Sequence, residues 1–395
     1  MNLNYIKRFG CLCLCMLLCI GLVACGDSDK PETSPTGPAT SSGTSQSAGV
    51  SGTETPNTTH TASGTSNPTA PGTPTQQQKP QLYFSDTGSF KVVIFSDLRV
   101  SKKVSSGVIA NMEKVLDKEK PSLVLLGGDV HDGSVSNEKE LRAVLDALNK
   151  PMEERKIPWC NAFGIDTEGT AGKKTGFSRE AQMKVYQSYP YCISGTDAAD
   201  VYGVSNYVLP IRNRKTNKIG FNVWCLDSNG YLNDYVSGLE SQVLLKRKIA
   251  SGTNFDCLHF SQILWYWDTS VSMEQSAKTK IPGMMYFQIP PFQLSLVKRN
   301  KTETNAKGTL VGATTKVSSS ERESGIVWAC YERGDIKGIF CGYNEENDMS
   351  GTYLDVLMAF CSTVGKTGYT DTAGARVVTI TENGKKMTSS MSYVK

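Results

Sequence analysis

Between residues 90 and 164 the chain alternates short apolar runs with amphipathic stretches, and this alternation limits its fold more than any other feature. FKVVIF (90–95) and SLVLLGGD (122–129) are apolar runs of strand length. Between them, Val108, Ile109, Met112, Val115 and Leu116 recur at helical spacing within SSGVIANMEKVLDKEK. A second amphipathic stretch, NEKELRAVLDALNKPMEERK, leads to a third run, IPWCNAFG. Buried strands separated by helices predict parallel pairing in an α/β arrangement. Further runs follow at shorter spacing and read as strands: VSNYVLPI, GFNVWCLD, GMMYFQI, IKGIFCGY, YLDVLMAFC and ARVVTITENG. No second linker and no internal repeat interrupts them, so one domain is expected over residues 80–395, long enough to bury a sizeable core.

Upstream the texture differs. Lys7 and Arg8 precede the apolar run FGCLCLCMLLCIGLVA, which ends at Cys25. The run is short for a membrane-spanning helix and has the layout of a secretory signal. Its LVAC ending resembles a bacterial lipoprotein box. That resemblance implies a signal peptide over 1–24, lipid on Cys25, and an exported protein anchored to the membrane of the cell envelope. Residues 26–79 are Ser, Thr, Pro and Gly with almost no large apolar side chains. Such a segment buries too little apolar surface to offset its ordering entropy, so 25–79 is expected to be a disordered tether.

The formal net charge of +4 comes without a basic stripe interleaved with aromatics, which excludes a nucleic-acid binder. Of 12 cysteines, seven follow Cys25, at 160, 192, 225, 257, 330, 341 and 361. None forms a C-x-x-C pair, so a zinc ribbon is unsupported. They suit small buried residues, with one or two disulfides among them. Only three histidines exist: His60 in the tether, His131 and His259. Three aspartates end apolar runs: Asp97, Asp129 and Asp227. Ligands of open α/β sheets bind at such ends, where paired aspartates can share a divalent cation; the same residues also cap turns and helices.

The ordered region resembles the calcineurin-like metallophosphoesterase superfamily, in particular its purple-acid-phosphatase-like branch. FKVVIFSDL, VLDKEKPSLVLLGGDVHDG, ERKIPWCNAFG, GVSNYVLPI, VWCLDSNGY, SQILWYWDTS, MMYFQIPP, YERGDIKGIFCGYNEENDMSGTY and GARVVTI match in order over most of 88–382. The resemblance implies an αββα sandwich, with two β-sheets between helices, and two-metal phosphoester hydrolysis. It also implies where the metal ligands should stand. The first aspartate is Asp97 and the bridging aspartate Asp129. The first histidine position holds Arg99. The Asn-His pair falls on Ile165 and Asp166, the strand-end histidine on Gln288, and the closing pair on Tyr343 and Glu345.

Every imidazole of the pattern is therefore replaced, and a dinuclear Fe, Zn or Mn centre is not expected. No residue takes a catalytic role, Asp166 being the nearest candidate. Arg99, always protonated, is expected to replace the metal by an internal salt bridge to Asp97 and Asp129. A remnant cleft of Arg99, Gln288, Tyr343, Asn344 and Asn347 would then accept a phosphorylated or anionic ligand, and the protein would act as a binding or scaffold module. The alternative is a hydrolase with a single Mg²⁺ or Ca²⁺ on oxygen donors: Asp97, Asp129, Asp166, Gln288 and Glu345, with Asn344 or Asn347. A third reading has loops near 276–283 and 299–322 touching an envelope partner. His131 lies close enough in sequence to reach the site, whereas His259 reads as structural.

Overall fold

The computed structural model describes residues 78–165, 176–231, 255–299, 318–320, 322–365 and 373–394. The proposed signal, Cys25, nearly all of the tether, Asp166 and most of 299–322 lie outside the described residues. The first half follows the alternation read above: β1 (Leu82–Tyr83), β2 (Phe90–Phe95), α1 (Ser106–Glu119), β3 (Leu123–Leu126), α2 (Glu138–Glu154), β4 (Trp159–Asn161) and α3 (Arg179–Gln187). Side-chain caps start the three helices: Ser105, Asn137 and Ser178 each accept a backbone N–H of the first turn. The second half holds β5 (Tyr207–Arg212), β6 (Ile219–Cys225), α4 (Phe260–Ala277), β7 (Gly283–Phe287), α5 (Phe292–Arg299), α6 (Ile326–Arg333), β8 (Ile336–Cys341), β9 (Ser350–Tyr353), β10 (Val356–Phe360), β11 (Gly374–Thr381) and β12 (Lys386–Tyr393).

Two sheets result. The five-stranded sheet runs β12-β11-β2-β3-β4 and the seven-stranded one β1-β5-β6-β7-β8-β10-β9. β2, β3 and β4 are parallel, as are β6, β7, β8 and β10. The run YLDVLMAFC, expected as one strand, is split: β9 and β10 form a hairpin whose turn is Leu354–Asp355, both at positive φ. β12 was not anticipated, because KMTSSMSY lacks the apolar content that marks a strand.

Alternate side chains of each strand serve different layers. Val93, Phe95, Val124 and Leu126 face α1, α2 and α3, joined by Met112, Leu145 and Tyr186. Val92, Ile94, Leu123 and Leu125 face the other sheet and meet Phe221, Val223, Met284 and Phe340. A third cluster, with Trp224, Met285, Ile339 and Met358, packs under α4, α5 and α6. Helices thus cover both outer faces of a two-sheet sandwich. All seven cysteines after Cys25 are free, six of them buried, so the expected disulfides are corrected to thiols used as small core residues. Among the described residues no helix is long and apolar enough to cross a membrane.

Candidate functional site

The chain leaving β2 runs beside the chain leaving β3. Asp97 N–H donates to Gly128 O (3.0 Å), Arg99 N–H to Asp129 O (2.9 Å) and Val100 N–H to Val130 O (3.0 Å). This parallel exit brings Asp97 and Asp129 together. From the other sheet, the end of β7 supplies Gln288 and the end of β8 supplies Tyr343. Gly342 lets the two sheets approach: a Cβ there would lie 2.2 Å from Ser96 Oγ and 2.7 Å from Asp97 Oδ2. Asp97, Arg99, Asp129 and Tyr343 all hold left-handed backbone, with φ of 52°, 42°, 57° and 65°. Aspartate tolerates this conformation; for Arg99 and Tyr343 it is strain that the surrounding contacts must hold in place.

Asp97 is fully buried, and neutral donors surround it. Gln288 Nε2 donates to Oδ1 (2.6 Å), while Ser96 Oγ (2.6 Å) and the Tyr343 N–H (3.0 Å) donate to Oδ2. Tyr286 Oη donates to Gln288 Oε1 (2.7 Å), which fixes the amide with its NH₂ toward Asp97. Burial pushes the Asp97 carboxyl up to about 7, against the lowering effect of the Ser96 bond and the Arg99 charge.

Among the described residues, Arg99 sits between two other carboxylates. Its Nη2 lies 2.9 Å from Asp129 Oδ2 and its Nε 2.9 Å from Glu345 Oε1. The internal ion pair therefore joins Asp129, as read from the sequence, but its second partner is Glu345 rather than Asp97. Gln288, standing where the family has a histidine, takes over Asp97 as a neutral donor.

The third corner is apolar. Ile165, at the asparagine position, is buried with Phe255 and Ile289, and Tyr231 and Tyr343 pack against them. The Tyr343 ring meets Phe255 edge-on, with centroids 4.7 Å apart. Behind this corner lies a second ion pair, around a buried carboxylate, that the sequence reading missed. Arg179 Nη1 holds both oxygens of Asp227 (3.0 and 2.7 Å), and its Nη2 donates to Gly164 O (2.5 Å). One signal was available: Arg179 opens α3, where the helix dipole disfavours a cation.

The remaining described candidates do not converge on this point. Asn344 bonds the backbone of Ser318 and accepts from Asn347, so the pair braces a loop. His131 is buried; its ring bonds Gln182 (3.3 Å) and accepts the Gly133 N–H (3.1 Å), which makes it structural. His259 caps α4 and pairs with Asp256 (2.9 Å).

A two-metal centre needs bare donor atoms converging on each cation. Here an amide NH₂ is turned to Asp97, a guanidinium covers Asp129 and Glu345, and Ile165 fills a ligand position. Among the described residues no group of three or more His, Cys, Asp or Glu is placed to hold an ion. The residues present do not fit the centre of the family they resemble.

No protein-family model matches the chain. It is 26% identical over 352 residues to "Probable inactive purple acid phosphatase 29" of Arabidopsis thaliana, covering 79% of this chain and 82% of that protein. It is 23% identical over 334 residues to "Probable inactive purple acid phosphatase 14" of the same plant, covering 76% and 77%. Among solved structures, a dimetal phosphatase from Danio rerio superposes with a TM-score of 0.51 at 10% identity, covering 78% of this chain and 96% of that one. The chain thus has the calcineurin-like metallophosphoesterase fold and is related in sequence to purple-acid-phosphatase-like proteins, including ones named inactive.

Proposed function

We propose that this protein is a phosphoesterase-fold pseudoenzyme: a binding or scaffold module held at the cell envelope by lipid on Cys25. The observation that carries this reading is the Arg99 guanidinium on Asp129 and Glu345, with Gln288 on Asp97. The protein's own cation and amide supply the counter-groups that metals supply in active relatives of the fold. The same geometry argues against a phosphate ligand at this corner. Among the described residues the Arg99 guanidinium already faces the carboxylates of Asp129 and Glu345, so an incoming anion would meet negative charge.

The test is metal content and turnover. The purified protein is equilibrated with Mn, Fe, Zn, Mg and Ca, dialysed, and assayed on aryl phosphate mono- and diesters. No stoichiometric metal and no hydrolysis are expected. Two metals per chain with turnover would overturn the reading. One Mg or Ca with turnover would put the oxygen-ligand hydrolase in its place. For the anchor, mass spectrometry of the mature N-terminus should find lipid on Cys25, and Cys25→Ser should release the protein from membranes.

A further inference from the structure

β12 ends the five-stranded sheet, and among the described residues no strand lies beyond it. Its ladder with β11 identifies the backbone groups on the open side. The Val394 N–H bonds Ala373 O, a pair that continues the register Gly374↔Tyr393. Hydrogen-bonded pairs alternate along an antiparallel ladder. Residues 386, 388, 390 and 392 therefore turn to β11, while Met387, Ser389, Met391 and Tyr393 turn N–H and C=O outward. Among the described residues, no backbone group bonds these four on that side. Edge strands are ordinarily protected by shortness, bulges, proline or charge. β12 has eight residues and no register shift, and KMTSSMSY carries one charge, at its first position, and no proline.

Beside this edge lies a cleft of about 680 Å³, walled on one side by β12 and on the other by β9, the edge strand of the second sheet. Lys337, Lys385 and Lys386 line it against one carboxylate, Asp355. Glu382 pairs with Lys386 at 2.9 Å, but both are exposed and such a pair holds its charges weakly. The cleft is far from the Arg99 corner: Lys337 stands near the start of β8, whose other end leads to Tyr343.

We propose that this edge is a docking site for an extended acidic segment of a partner protein, which adds to β12 as a sixth strand and lays carboxylates on Lys337, Lys385 and Lys386. Backbone pairing would supply affinity, and the lysines would select for acidic sequence. The proposal stands whether or not the Arg99 corner is catalytic.

The probe is an alternating Glu-Val octapeptide titrated against the full-length chain by fluorescence anisotropy. Two further versions carry N-methyl groups on alternate residues, one on the glutamates and one on the valines. Binding is expected, with one methylated version losing about tenfold or more and the other unaffected, because only one set of amides faces β12. Lys337→Glu, Lys385→Glu and Lys386→Glu together should weaken binding without moving the thermal midpoint. Equal binding of both methylated versions would overturn the proposal in favour of charge attraction alone. Failure of the unmethylated peptide to bind, including a chain that self-associates through β12 instead, would overturn it as well.

Discussion

Arg99 carries the guanidinium that touches both Asp129 and Glu345, and its removal isolates what holds the corner together. Arg99→Ala takes this counter-charge from Asp129, whose side chain is 0% exposed. Breaking a fully buried pair costs about 3–5 kcal/mol; with Arg99 30% exposed, a loss of about 2 kcal/mol is expected in urea unfolding. Asp97 makes a separate prediction. Burial raises its carboxyl from 3.8 to about 7. The unfolded chain releases this proton near pH 4, the folded chain only near 7. In that window the folded state holds the extra proton, so this group's contribution to stability falls as pH rises, by about 4 kcal/mol over the whole span. Asp97→Asn removes the titration, and Gln288 can turn its amide over because the Ser96 and Tyr286 hydroxyls either donate or accept. The melting temperature of the variant relative to wild type should rise between pH 5 and pH 8; a flat difference would show that Asp97 is ionised throughout.

At the scale of elements, β11 ties the two sheets together. Arg376, on its inner face and 2% exposed, donates through Nε and Nη2 to Phe360 O (2.9 and 2.6 Å) and through Nη2 to Asp348 O (2.6 Å). Asp348 lies just before β9 and Phe360 ends β10, both in the other sheet, so one side chain bolts the layers. Arg376→Met keeps the stem but leaves the carbonyls without donors, and a loss of about 3 kcal/mol is expected from thermal unfolding. Arg376→Lys should recover only part of it, because an ammonium cannot reproduce the planar fork. The exits of β2 and β3 were legible because a buried strand followed by a helix leaves little choice of pairing. The β9–β10 turn was not, since Leu354–Asp355 lacks the Asn-Gly chemistry that announces a tight hairpin.

For the whole molecule, three apolar layers explain the cysteines. Burial pushes the Cys192 thiol up to about 11 and Cys341 well above its usual value. Cys257, only partly buried, is also raised to about 11. Iodoacetamide mapping of the native protein should therefore modify Cys257 first among the seven and reach the other six only after unfolding. Early modification of several would mean that the sandwich opens locally or packs less tightly than described.

The α/β class, the order of most strands and the loss of every imidazole from the metal pattern could be read from the chain alone. Each is a local property: apolar periodicity within a few residues, or the identity of a residue at a motif position. The partners of the remaining charges could not be. Asp129 shares Arg99 with Glu345, Gln288 rather than Arg99 satisfies Asp97, and Arg179 rather than a metal satisfies Asp227. Which donor reaches which carboxylate depends on where loops from two different sheets meet, across sequence separations of up to 246 residues. Only packing the sandwich brings those loops together, and burial there makes every unpaired charge costly enough to force the choice.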